Sequence, residues 1–265
     1  MRKVMCILAI VILSTSTAYA EYTIVAIGDS NTRCGKIWDT PPGHTNSIAG
    51  GWVTLLRTRL DEEFPGEYKV INKGINGDVA QGVFNRLASD VFAYSPDTVI
   101  VAIGANDASN LHWSNPPART AGEFLDIMEK IIPKIRSELP NSDIVLVGII
   151  LFSSEHVKIY YRNLPHSSFD QQEYDTKIIE YNEVLRELSR KYSDVSYFDP
   201  MVVWPQDVKT RWDFLTDGLH PNDAGQTLLA DALYEFLFGV AAVDLQRKFA
   251  VSWGEIKRTQ NMYHR

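Results

Sequence analysis

Three residues of this 265-residue chain are of the types that together attack a carbonyl carbon: Ser30, Asp217 and His220. Ser30 sits in the run Gly28-Asp29-Ser30-Asn31, and the other two sit in Asp217-Gly218-Leu219-His220. A serine hydroxyl is a poor nucleophile at neutral pH and needs a positioned base. Histidine can supply it, and an aspartate three residues earlier can fix the imidazole tautomer and stabilise its protonated form. Attack on an ester carbonyl would place negative charge on oxygen, which needs donors already in position. The candidates are the backbone N–H groups of Ser30 and Gly77 and the side-chain amide of Asn106. At Gly77 no Cβ would stand between the N–H and a substrate. Singly, each residue has an ordinary structural use. Ser30 suits a turn or helix cap, Asn106 a turn, Gly74 a backbone bend, Asp29 a brace for the turn and Asp107 a structural partner.

What could gather them is an alternation of strands and helices. The apolar run Ile24 to Ile27 reads as a buried strand that ends directly in the Ser30 block. Trp52, Leu56, Leu60 and Phe64 repeat at helical spacing, and Tyr68 to Asn72 reads as a short strand. Val79, Val83, Leu87 and Val91 mark a helix before the strand Thr98 to Ile103. Phe124 to Leu139 is helical, with a kink expected at Pro133 because proline lacks a backbone donor. A strand Ile144 to Leu151, a helix through Tyr174, Ile178, Tyr181, Leu185 and Leu188, and a strand Val195 to Phe198 follow. The last helix is expected after Pro221, running to about Val243 and leaving His220 just outside its N-terminus. Such alternation predicts an α/β three-layer sandwich, a parallel sheet with helices on both faces. All strands of such a sheet end at one edge, where ligands bind. The serine, glycine, asparagine and Asp/His blocks each follow a predicted strand, so topology brings them to that edge.

Composition narrows the setting. Arg2 and Lys3, the apolar run Val4 to Leu13 and Ala18-Tyr19-Ala20 form a signal-peptide pattern over residues 1–20, with cleavage expected before Glu21. A periplasmic or extracellular protein without a stable membrane anchor is expected, since ten apolar residues are too few to cross a bilayer. The mature chain is expected to form one hydrolytic domain over residues 21–245 and a tail over 246–265. Removing the two basic leader residues takes the formal net charge from −7 to −9, which disfavours nucleic acid and anionic membranes as partners. Only Cys34 remains after cleavage, so no internal disulfide is expected.

The four blocks together resemble the SGNH hydrolases, the GDSL-type esterases and lipases. Ser30 matches in GDSN, Gly77 in NKGINGD, Asn106 in GAND, and Asp217 with His220 in DGLHPN. The resemblance spans Ile24 to about Leu237. It implies a flavodoxin-like sandwich with a five-stranded parallel sheet, and ester hydrolysis without metal or cofactor. It assigns Ser30, Asp217 and His220 as catalytic, and Ser30, Gly77 and Asn106 as the oxyanion hole. Asn31 departs from the apolar residue that many members carry after the serine. The insertion Phe152–Glu173 matches nothing in the family pattern.

Other chemistries fit less well. No second motif places a base beside Cys34, and a free cysteine usually acts as a small apolar residue. His44, His112, His156 and His166 show no zinc-ligand spacing. There is no GxSxG elbow. Trp38, Trp113, Trp204 and Trp212 fall in predicted loops near the active edge, with Tyr160, Tyr161 and Phe169 in the insertion. Trp38, Trp113 and Trp212 are candidate substrate contacts, since flat aromatic faces suit sugar rings, although each could equally pack its loop. The expectation is therefore a secreted serine ester hydrolase. Its substrate would be a small-molecule or glycan ester, cleaved at a short acyl group such as acetyl through an acyl-enzyme. A lysophospholipase, lipase or thioesterase acting on longer chains is the alternative in the same class. A glycan-binding relative without turnover is the alternative outside it.

Overall fold

Seven residues, Tyr22–Gly28, form strand β1, whose side chains alternate between two apolar cores. Val25 and Ile27 face one core, Ile24 and Ala26 the other, as a strand of period two covered on both faces requires. In this computed structural model the described residues are 21–34, 50–109, 120–155, 157 and 170–239. The leader, Trp38, Trp113, Tyr160, Tyr161, Phe169, the four loop histidines, most of the insertion and the tail lie outside them.

Around β1 are β2 (Tyr68–Gly74), β3 (Thr98–Ala102), β4 (Asp143–Val147) and β5 (Val195–Phe198). All pair in parallel, in the order β2-β1-β3-β4-β5. The order reverses at β1, which puts β1 at the switch point where ligands bind such sheets. Helices α3 (Ala80–Asp90), α5 (Ala121–Glu138) and α6 (Gln171–Lys191) cover one face. Helices α2 (Gly51–Glu63) and α8 (Asp223–Phe238) cover the other, tied by the Trp52 N–H donating to Gln226 Oε1 at 2.9 Å. Short helices α1 (Ser30–Arg33), α4 (Ala105–Ser109) and α7 (Val208–Arg211) lie in the connections. The expected five-stranded parallel α/β sandwich is thus the observed fold.

Helix α5 holds Pro133 within its length. Three details differ from the sequence pattern. Strand β4 stops at Val147, and beyond it Asn182 of α6 clamps the Ile149 peptide, accepting from its N–H at 2.7 Å and donating to its carbonyl at 2.8 Å. Trp204, expected at the active rim, is buried, and its indole N–H donates to the Leu151 carbonyl at 3.0 Å. It is a core residue. Gly74 does not serve a bend. It lies opposite Gly28 in register, and a Cβ there would sit 2.0 Å from the Arg33 backbone nitrogen.

That contact generates a test. Gly74→Ala must push α1 away from β2, and overpacking of this kind costs about 1–3 kcal/mol, more when backbone is the obstacle. Urea unfolding is expected to show a loss of at least this size. A variant as stable as the wild type would contradict the close packing of α1 on β2.

Candidate active site

The register of the sheet sets the site. Gly28, at the end of β1, lies opposite Gly74 of β2 and Ala102 of β3. Ser30, Gly77 and Asn106 therefore emerge from three adjacent strands within a few residues of one line across the sheet edge.

Ser30 is the first residue of α1, capped by Asp29, whose Oδ1 accepts from the Asn31 N–H at 2.8 Å. This is the brace expected of Asp29. A residue in the first turn has no intrahelical partner for its N–H, so the Ser30 N–H is of the kind that can serve a ligand. Helix α1 is fastened to β2 by Asn72, whose amide donates to the Thr32 carbonyl at 2.8 Å while its oxygen accepts from the Gly74 N–H at 2.9 Å. The tie is formed across 40 residues.

Gly77 lies in a turn closed by the Asp78 N–H donating to the Ile75 carbonyl at 3.2 Å. Its φ is +70°, which gives glycine there a conformational reason as well as a steric one. The same turn is fixed to β1 by the Ile75 N–H donating to the Gly28 carbonyl at 3.0 Å. Asn106 is buried at the start of α4, and its amide donates to the Asp78 carbonyl at 2.8 Å. One donor of that amide thus holds the Gly77 loop in place. Asp107 next to it accepts from the Ala80 N–H at 3.0 Å, a structural partner as expected.

The third element is the turn before α8. His220 Nε2 lies 2.7 Å from Ser30 Oγ, across 190 residues, and His220 Nδ1 lies 2.8 Å from Asp217 Oδ2. The structure brings Ser30, His220 and Asp217 into one hydrogen-bonded row. Asp217 Oδ1 also accepts from the backbone N–H groups of Leu219 at 3.0 Å and His220 at 2.8 Å. The helix that follows starts at Asp223, capped by Asn222, which accepts from the Gly225 N–H at 3.0 Å.

Burial alone would lower the His220 pKa. The Asp217 charge and hydrogen bond, with the Asp29 charge, override it and hold the imidazole above its ordinary value. Burial has the reverse effect on Asp29, pushing its carboxyl up to about 7 against the Asn31 hydrogen bond and the attraction of His220. Asp29, Asn31 and Thr32 line a cavity of about 50 Å³ on the α2–α8 side of the sheet.

Of the aromatic candidates, Trp212 lies half-buried in the turn Trp212–Phe214 and packs against the apolar core; Trp38 and Trp113 lie outside the described residues. Among the described residues no cluster of His, Cys, Asp and Glu could hold a metal ion, and no helix is long and apolar enough to cross a membrane.

The profile of the GDSL-like lipase/acylhydrolase family matches residues 26–228. The chain belongs to that family. It is a serine carboxylic-ester hydrolase. An acetylxylan esterase of Geobacillus stearothermophilus is 26% identical over 212 residues, 79% of this chain and 90% of that protein. Esterase TesA of Pseudomonas aeruginosa is 33% identical over 100 residues, 38% of this chain and 44% of that one. In fold, a solved acetylxylan esterase from Geobacillus stearothermophilus, a catalytic mutant, matches with a TM-score of 0.61. It is 21% identical, over 81% of this chain and 93% of that one.

The pKa of Asp29 makes a prediction about stability. A carboxyl raised from 3.8 to about 7 binds its proton more tightly when folded. Its contribution to stability is complete below 3.8 and is lost as pH climbs to about 7. Asp29→Asn keeps a cap for Asn31 and cannot titrate. Urea midpoints of the variant are expected to fall less than those of the wild type across that interval; parallel profiles would refute a raised Asp29.

Proposed function

We propose that Ser30 is the nucleophile of a secreted esterase that removes short acyl groups, acetyl above all, from carbohydrate. The observation that carries this reading is the Ser30–His220–Asp217 row, with contacts of 2.7 and 2.8 Å. Ser30 Oγ attacks the ester carbonyl as its proton passes to His220 Nε2. Asp217, at Nδ1, stabilises the imidazolium. The carbonyl oxygen becomes an oxyanion held by the N–H groups of Ser30 and Gly77 and the Asn106 amide. On collapse the C–O bond to the alcohol breaks, and His220 returns the proton to the departing oxygen. Water then gives a proton to His220 as it attacks the acyl-enzyme; on collapse the bond from the carbonyl carbon to Ser30 Oγ breaks, His220 returns that proton to Oγ, and the acid is released. The raised His220 pKa suits a group that must accept a proton in both halves.

The acetyl preference draws on the acetylxylan esterase relative, 26% identical over 90% of that protein's length. Catalytic mutants of such an esterase replace a serine, an aspartate and a histidine, the residue types of the row formed here. Export rests on the signal-peptide pattern of residues 1–20.

Para-nitrophenyl esters of rising chain length, together with acetylated xylo-oligosaccharides, test the substrate. The expected optimum is C2, with acetate released from the sugar; an optimum at C8 or longer would move the enzyme to the lipid alternative. A fluorophosphonate probe is expected to label the wild type and leave Ser30→Ala unlabelled. Asn106→Ala is expected to lower kcat by about a hundredfold to a thousandfold with a smaller change in KM. Unchanged turnover in that variant would remove Asn106 from the oxyanion hole.

A further inference from the structure

The three proposed oxyanion donors come from three separate loops, and one side chain outside the site joins the supports of all three. Arg86 lies on α3, with its side chain 13% exposed. Its guanidinium makes four hydrogen bonds. Nε donates to Asp78 Oδ2 at 2.7 Å, and one terminal nitrogen donates to the Lys73 carbonyl at 2.7 Å and to Asp90 Oδ2 at 2.9 Å. The other donates to the Gly28 carbonyl at 2.9 Å.

Each partner leads to a donor. Gly28 is the last residue of β1, two before Ser30, and its carbonyl also accepts from Ile75 in the Gly77 turn. Lys73 and Asp78 flank that turn on either side. The Asp78 carbonyl receives the Asn106 amide, so the residue gripped by Arg86 also sets the angle of the Asn106 side chain. We infer that Arg86 is a positioning residue for the oxyanion hole, its planar fork holding the Ser30, Gly77 and Asn106 donors in mutual register. This rests on the oxyanion assignment above.

A rigid fork is required because four acceptors on three chain segments must be met in fixed directions. A lysine ammonium keeps the charge but has no planar array of donors, so Arg86→Lys is not conservative here. Charge matters as well as shape. Burial holds the Asp78 pKa above its ordinary value, and the charge and hydrogen bond of Arg86 oppose that rise. Donors aimed at a transition-state oxygen lose effect steeply with misplacement, while ground-state binding of an ester depends on them far less.

The test is kinetic, on the full-length enzyme. Arg86→Lys is expected to lower kcat by about tenfold to a hundredfold with KM changed little. Its affinity for a trifluoromethyl ketone, which forms a tetrahedral oxyanion on the serine, is expected to fall by a similar factor. Combined with Asn106→Ala, the loss is expected to be clearly less than the product of the two single losses, because both act through the same hole. If Arg86→Lys is unfolded by circular dichroism, the neutral pair Arg86→Gln with Asp78→Asn, which leaves no unpaired buried charge, is judged by the same measures. Wild-type kcat and ketone affinity in a folded variant, or losses that simply multiply, would overturn the role of Arg86. Should Asn106→Ala itself be without effect, the oxyanion assignment fails first, and with it this inference.

Discussion

A carboxylate removed from water must have its lone pairs met, and Asp217 meets them with donors from its own turn. One oxygen takes the N–H groups of Leu219 and His220, and the other takes the imidazole. An unpaired buried charge would cost several kcal/mol, so the turn and the imidazole must be ordered together. The Thr216 N–H donating to the His220 carbonyl, with the isolated pairing of Leu215 and Pro221, closes the same turn. His220 is thus fixed by a loop that is nearly self-contained. What remains for the fold is to present that loop 2.7 Å from a hydroxyl 190 residues away, which the parallel sheet does by ending β1 beside it.

Charge beneath the site follows from the same economy of donors. Asp29, Asp78 and Asp107 are all buried near the ends of β1, β2 and β3. Asp78 has Arg86, Asp107 has the Ala80 N–H, and Asp29 has the Asn31 N–H with His220 nearby. Asp78 and Asp107 both raise Asp29, and Asp29 in turn raises His220. The field in this corner favours positive charge on the imidazole. Fixed dipoles and charges that stabilise a transient cation need no rearrangement at the moment it forms.

How much of this could be read from the sequence depended on the range of the interaction. Strand β5 and helix α3 were legible almost to the residue, because buried apolar residues recur at local periods. The blocks around Ser30, Gly77, Asn106 and Asp217 were legible because glycine and small polar residues after an apolar run mark the same sheet edge each time. Trp204 was not. Nothing local distinguishes a rim tryptophan from one whose indole N–H finds the Leu151 carbonyl 53 residues away. Strand β4 ended earlier than its apolar run because β5 pairs with it only to Phe198, and Asn182 then takes over the Ile149 peptide. Arg86 and Asn72 carried no signal either, since each acts through carbonyls, and every residue has one. Gly74 was singled out for the wrong reason. A glycine that admits a neighbouring backbone and one that adopts positive φ look the same in one sequence.

The segment after β4 is tied into the site by a similar long-range charge. Arg211 is buried and meets both oxygens of Asp175 at 2.9 Å, together with the Phe152 carbonyl at 2.9 Å and the Gln206 carbonyl at 2.7 Å. Gln171 adds bonds to Asp175, to the Phe152 carbonyl and to the Ser154 N–H. Between those two residues the Ser153 N–H donates at 2.8 Å to the carbonyl of Gly218, inside the turn that carries Asp217 and His220. A buried ion pair of this kind adds little net stability over an apolar replacement, because its desolvation offsets its attraction. Its effect is geometric: bidentate pairing admits one orientation of α7 against α6, and that orientation sets where Ser153 meets Gly218. The chain beyond β4 is therefore bonded directly to the turn that carries Asp217 and His220, and helps to hold the imidazole where it meets Ser30.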